Sequence, residues 1–103
     1  KRDYTYIADI VEGIVKAWEK KLPFEIINLG DSHPVELKHL VQTIEAALGK
    51  KAVIRKLPVP QGDVPVTYAD ISKAKRLLGW LPKVKIEDGI RMFVEWDREN
   101  CTA

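Results

Sequence analysis

One cysteine, Cys101, is all this sequence offers. It cannot form a disulfide within the chain, and no Cys-x-x-Cys or Cys/His spacing points to zinc. A reducing, cytoplasmic compartment is therefore expected. Long apolar runs are missing as well. None approaches the roughly 20 residues that span a bilayer, and no signal-peptide pattern opens the chain, so no membrane partner is expected. Charge of one sign is scarce: 17 basic residues against 15 acidic ones leave a net charge of +2. That bias is too small to argue for nucleic acid, and no aromatic stacking platform accompanies the lysines. His33 and His39 stand in no metal-ligand or triad pattern, so both are expected at the surface. The six glycines include no Gly-rich strand-turn-helix of the kind that receives a dinucleotide pyrophosphate.

What is present is a globular pattern. The chain has 103 residues, of which 46% are apolar, enough for one domain with a core. Ile7, Ile10, Val11, Ile14, Val15 and Trp18 recur at helical steps and predict one face of an amphipathic helix from about Ala8 to Lys20. Asp9 reads as a helix-start acid. Pro34 predicts the first position of a second helix, which makes His33 its cap and lets Glu36 reach back. Leu37, Leu40, Val41, Ile44 and Leu48 form its stripe, and Gly49 its left-handed end. Asp70 is the expected cap of a short helix through Leu78, closed by Gly79. A last helix is expected from Ile86 to Arg98, with Ile86, Ile90, Phe93 and Val94 inward. Trp80 and Trp96 are expected in a core or an interface.

Three segments read as strands: Arg2–Tyr6, Phe24–Leu29 and Ala52–Leu57. Pro58, Pro60, Gly62 and Pro65 then break regular structure over a long connection, a feature often functional. The expected fold class is α/β, a small mixed domain of about four helices and two to three short strands. So few strands need a small sheet or completion by other chain. The first residue is Lys1 and patterned sequence follows at once, so the chain is expected to be part of a larger protein.

Four segments together resemble the extended short-chain dehydrogenase/reductases. They are Arg2-Asp3-Tyr4-Thr5-Tyr6-Ile7-Ala8-Asp9, Ile27-Asn28-Leu29-Gly30, Gly62-Asp63 followed by Tyr68-Ala69-Asp70-Ile71-Ser72-Lys73-Ala74, and Leu78-Gly79-Trp80-Leu81-Pro82. Each is weak alone. Their shared order and spacing over the whole chain make the resemblance specific. The Asp63–Asp70 wording and the Gly89–Trp96 ending are most similar to the nucleotide-sugar epimerase branch, that of the UDP-glucuronate 4-epimerases.

The resemblance implies an NAD-dependent isomerase in which a tyrosine takes the sugar 4-OH proton and NAD takes the hydride from C4. Residues 1–103 would be its C-terminal substrate-binding segment. The Tyr-x-x-x-Lys pair of that chemistry is absent here: the residues four after Tyr4, Tyr6 and Tyr68 are Ala8, Ile10 and Ser72. Catalytic residues, NAD and the dinucleotide-binding Rossmann domain are thus expected on further chain, with no activity in this chain alone and no cofactor bound by it. The resemblance assigns UDP-sugar contacts to four residues. Arg2 would hold the diphosphate, for which a guanidinium fork is suited. Asp63 would accept hydrogen bonds from ribose hydroxyls. Tyr4 would lie near the phosphates or base, and Gln61 would stand in for a missing arginine. Many relatives carry that arginine three residues before the aspartate; here the position is Pro60. The resemblance implies that the first helix and the Phe24–Leu29 segment pack onto the dinucleotide-binding sheet; without that partner their apolar surface is expected to be exposed and to drive self-association. The alternative is a stand-alone nucleotide- or protein-binding module derived from such a domain.

Overall fold

A computed structural model describes residues 1–100; Cys101 lies outside them. Four helices form among the described residues: α1 (Ile7–Lys20), α2 (Leu37–Leu48), α3 (Ser72–Leu78) and α4 (Ile86–Asn100). They pack as two pairs, α1 with α3 and α2 with α4. Gly49 and Gly79 close α2 and α3 at φ 70° and 64°, the left-handed region where a side chain would be strained. Helix α3 begins at Ser72 with Ile71, not Asp70, at its cap; Asp70, one residue further back, accepts the Ser72 N–H at 3.0 Å.

The second helix departs from expectation. It begins at Leu37, with Glu36 at its cap and no side-chain hydrogen bond there. His33 caps nothing, and Pro34 precedes the helix instead of starting it. The cause is a competing pairing. Val35 exchanges two backbone hydrogen bonds with Arg2, at 3.0 and 2.8 Å, and that bridge requires Val35 to be extended.

The expected strands are the larger correction. Among the described residues there is no strand, only the isolated antiparallel bridge of Arg2 and Val35. Residues 24–29 and 52–57 pair with no neighbouring strand, and pairing, not propensity, makes a strand. The 24–29 segment still alternates. Ile27 and Leu29 pack on the core, whereas Phe24 and Ile26 are 80% and 73% exposed.

Helix α1 buries its small-residue face and leaves its apolar stripe exposed. Asp9 and Gly13 are its buried residues, and Ala17 joins them against the core. Ile7, Val11, Ile14, Val15 and Trp18 all point outward. Close approach explains this. A Cβ on Gly13 would stand 2.7 Å from Leu29 Cδ1 and 3.2 Å from Trp80 Nε1, so the small face admits the indole. The centre of the core is Trp80, with Ala74 and Leu78. Trp80 is fully buried, and its indole N–H donates to the Asp9 carbonyl at 2.9 Å, which satisfies its polar end. Phe93, expected inward on α4, is 58% exposed and stacks on Trp96.

The result is an open structure. The Cα radius of gyration is 16.4 Å, against about 13 Å for a packed domain of this length. The accessible surface is 8329 Å², about 2,400 Å² more than a folded monomer of this mass exposes. No helix among the described residues is long and apolar enough to cross a membrane.

Candidate functional site

Two carboxylates fix the residues around the site. Asp3 sits in the extended segment before α1. Its Oδ1 accepts the Asp31 and Ser32 N–H groups at 3.0 and 3.1 Å, and its Oδ2 accepts the Ala69 N–H at 2.9 Å. Thr5 Oγ1 also accepts the Asp31 N–H. One side chain therefore ties residues 1–5 to two distant loops. Gly30 is needed for this approach: a Cβ there would lie 2.7 Å from Ala69 Cβ and 2.8 Å from Asp3 Oδ2. The second carboxylate, Asp9, is 2% exposed and accepts the Lys83 and Val84 N–H groups at 3.1 and 3.0 Å. It holds the connection into α4. Sequence reasoning missed both roles. Each residue stood in a quoted motif, but only the fold shows which distant N–H groups reach it.

The Asp3 clamp has a consequence for Arg2. Asp3 and Thr5 face the loops, so alternation turns Arg2, Tyr4 and Tyr6 the other way. Arg2 Nη2 meets Asp63 Oδ1 at 2.6 Å, with both side chains roughly a third exposed, 34% and 40%. Arg2 Nη1 donates to the Lys1 carbonyl at 3.0 Å. Asp63 ends a turn closed by its own N–H on the Pro60 carbonyl at 3.2 Å. Gly62, at φ 85°, supplies the positive φ that such a turn requires at its third position. The Thr67 N–H on the Lys1 carbonyl, at 3.1 Å, holds the end of this loop beside Arg2.

Of the four residues assigned from sequence, the fold thus joins Arg2 and Asp63, 61 positions apart. Gln61 lies exposed at the corner of the same turn. Tyr4 lines a neighbouring apolar cavity of about 620 Å³ with Tyr6, Ile86, Ile90, Phe93 and Trp96, and does not share the ion pair. A second, more polar cavity of about 470 Å³ opens over Asp3, Asn28, Gly30 and Tyr68. Burial pushes the Asp31 carboxyl above its ordinary value; the His33 ring opposes this and the Asp3 carboxylate adds to it. His33 and His39 are exposed, as expected, and His39 meets Glu87 at 3.0 Å. No cluster of three or more metal-ligating side chains forms among the described residues.

Two of the four helix starts among the described residues are unsuited to a dinucleotide pyrophosphate. The first turns of α1 and α4 carry Asp9 and the pair Glu87 and Asp88. Acids there repel a pyrophosphate from the helix end that would attract it, and no glycine-rich turn precedes either helix.

Comparison with known proteins follows the same lines. A family model described as GDP-mannose 4,6 dehydratase matches residues 1–93. An uncharacterized protein of Methanocaldococcus jannaschii is 50% identical over 97% of this chain and 31% of its own length. A UDP-glucuronate 4-epimerase of Thermodesulfobacterium geofontis is 45% identical over 96% of this chain and 31% of its own length. Among solved structures, a UDP-glucuronic acid 4-epimerase from Bacillus cereus, in complex with UDP-glucuronic acid and NAD, superposes with a TM-score of 0.85. It is 33% identical, over 94% of this chain and 32% of that one. The chain spans about a third of the length of the curated relatives it matches.

Proposed function

The chain belongs to the GDP-mannose 4,6 dehydratase family, within the NAD-dependent short-chain dehydrogenase/reductase group of nucleotide-sugar enzymes, and on that premise we propose that it is the UDP-sugar-binding portion of a nucleotide-sugar 4-epimerase. The observation that carries this reading is the meeting of Arg2 and Asp63 at 2.6 Å. A cation for a diphosphate and an acceptor for ribose hydroxyls stand side by side, on segments far apart in sequence. The likeness to UDP-glucuronate 4-epimerases supports a UDP-sugar as ligand.

Redox chemistry is assigned to further chain, because the residues here offer neither a dinucleotide cradle nor a tyrosine–lysine pair. The outward apolar face supports the same division. Val11, Ile14 and Trp18 of α1, with Phe24 and Ile26, are at least half exposed. The extended 24–29 segment has backbone groups free to join a sheet. This face would seat against a dinucleotide-binding domain, and in the isolated chain against a second copy. It favours the enzyme portion over a stand-alone binding module, which would have no use for so large an apolar surface.

The test is calorimetric titration of the chain with UDP and UDP-glucuronate, repeated with Arg2→Ala. Weak saturable binding, reduced roughly tenfold or more by the loss of a charge-assisted phosphate contact, is expected. Absence of binding, or binding indifferent to Arg2→Ala, contradicts the proposal.

A further inference from the structure

We propose that Asp63 occupies the anion seat of Arg2 until a nucleoside diphosphate takes it, and that this exchange selects nucleoside diphosphates over bare anions. The inference rests on the UDP-sugar reading of the site and adds its mode of selection. Arg2 presents its Nη2 to Asp63 at 2.6 Å, while Nη1 is engaged by the Lys1 carbonyl. A phosphate oxygen approaching this guanidinium meets a seat already filled. Asp63 is the only charged residue between Pro58 and Val66, so no second cation on the loop offers the phosphate an alternative. Those residues are all exposed, which leaves the turn at Pro60–Asp63 able to swing without disturbing the core.

The two kinds of ligand then differ in what they return. Inorganic pyrophosphate can fill the seat but leaves the displaced carboxylate with water alone. A nucleoside diphosphate fills the seat and brings two ribose hydroxyls, which donate to the released carboxylate. Asp63 therefore opposes the first ligand and aids the second. An exposed ion pair of this kind is worth at most about a fivefold change in an equilibrium constant, and that sets the scale of the effect.

The experiment titrates the chain and its Asp63→Asn variant with inorganic pyrophosphate and with UDP, in metal-free buffer at fixed ionic strength. Asparagine keeps the size and the turn but gives up the charge. The exposed position makes loss of folding an unexpected result, and circular dichroism checks it; Asp63→Ala serves as a second variant. The expected result is pyrophosphate affinity raised about two- to fivefold in both variants, with UDP affinity unchanged or lower. The preference for UDP over pyrophosphate then falls. If pyrophosphate affinity is unchanged or lower in the variants while wild-type UDP binding still depends on Arg2, the exchange is overturned and the UDP-sugar reading stands. If the wild-type chain binds no UDP, the reading itself fails, and the exchange with it.

Discussion

Replacing Asp9 by alanine isolates the contribution of the carboxylate that holds the lead-in to α4. The side chain is 2% exposed and accepts two backbone N–H groups, from Lys83 at 3.1 Å and Val84 at 3.0 Å. Alanine leaves both donors without their partner in a part-buried place. Each buried, unpaired donor costs about 1–3 kcal/mol. The 83–84 segment can open partly to solvent, so the sum is placed at about 2–4 kcal/mol. The Trp80 indole bond goes to the Asp9 backbone carbonyl and survives the substitution, so it does not enter. Urea unfolding, followed by tryptophan fluorescence and circular dichroism, reads the change. With a denaturant dependence typical of a small domain, the midpoint falls by about 1–2 M. Asp9→Asn retains one acceptor oxygen and should fall about half as far. A midpoint within about 0.3 M of wild type for alanine, or an asparagine variant no better than alanine, would refute the reasoning from acceptor count.

Other perturbations probe separate parts of the fold. Gly30→Ala places a methyl against Ala69 Cβ and the Asp3 carboxylate; overpacking of this kind costs about 1–3 kcal/mol, measured by thermal unfolding. Asp31→Asn tests the raised carboxyl. An acid held above its ordinary value binds its proton more tightly when folded, so its contribution to stability is greatest below the unfolded value and is lost as pH rises through the folded one. The asparagine variant should therefore have the higher urea midpoint at pH 7, with the gap closing as pH falls through the carboxylate range; a gap that widens contradicts the assignment. Trp18→Glu together with Phe24→Glu should convert a self-associating chain into a monomer by light scattering after size exclusion. A wild-type chain already monomeric at high concentration contradicts the exposed-face account.

The helices were legible because their signals are local. The left-handed glycines at 49 and 79 and the 3.6-residue spacing in α1 and α4 need no tertiary knowledge. What failed depended on partners. Residues 24–29 have the pattern of a strand, yet the fold leaves them without a neighbour. Pro34 is a good first helical residue, but the Arg2–Val35 bridge holds the chain extended past it. The stripe on α1 is legible as an apolar face, and the described residues leave it exposed. Gly13 and Asp9 form the inner face because Trp80 fits there, and periodicity marks an apolar stripe without saying what will cover it. In the candidate site, proximity of Arg2 and Asp63 is a fact of folding that followed from no spacing; the resemblance named the two residues, and the structure set them together. Asp3 and Asp9 show the converse. Their acceptors serve N–H groups 28 to 75 residues away, so nothing near them in sequence revealed the work.

The most direct test of the central claim is a titration of the isotope-labelled chain with UDP-glucuronate, observing the Arg2 side-chain NεH signal and the backbone amides by NMR. The account predicts that the Arg2 signal and amides at 2–4 and 61–64 shift together along one saturation curve, while the Asp9–Lys83–Val84 region stays still. An Arg2 signal that does not move while other residues report binding would place the ligand elsewhere and contradict the account.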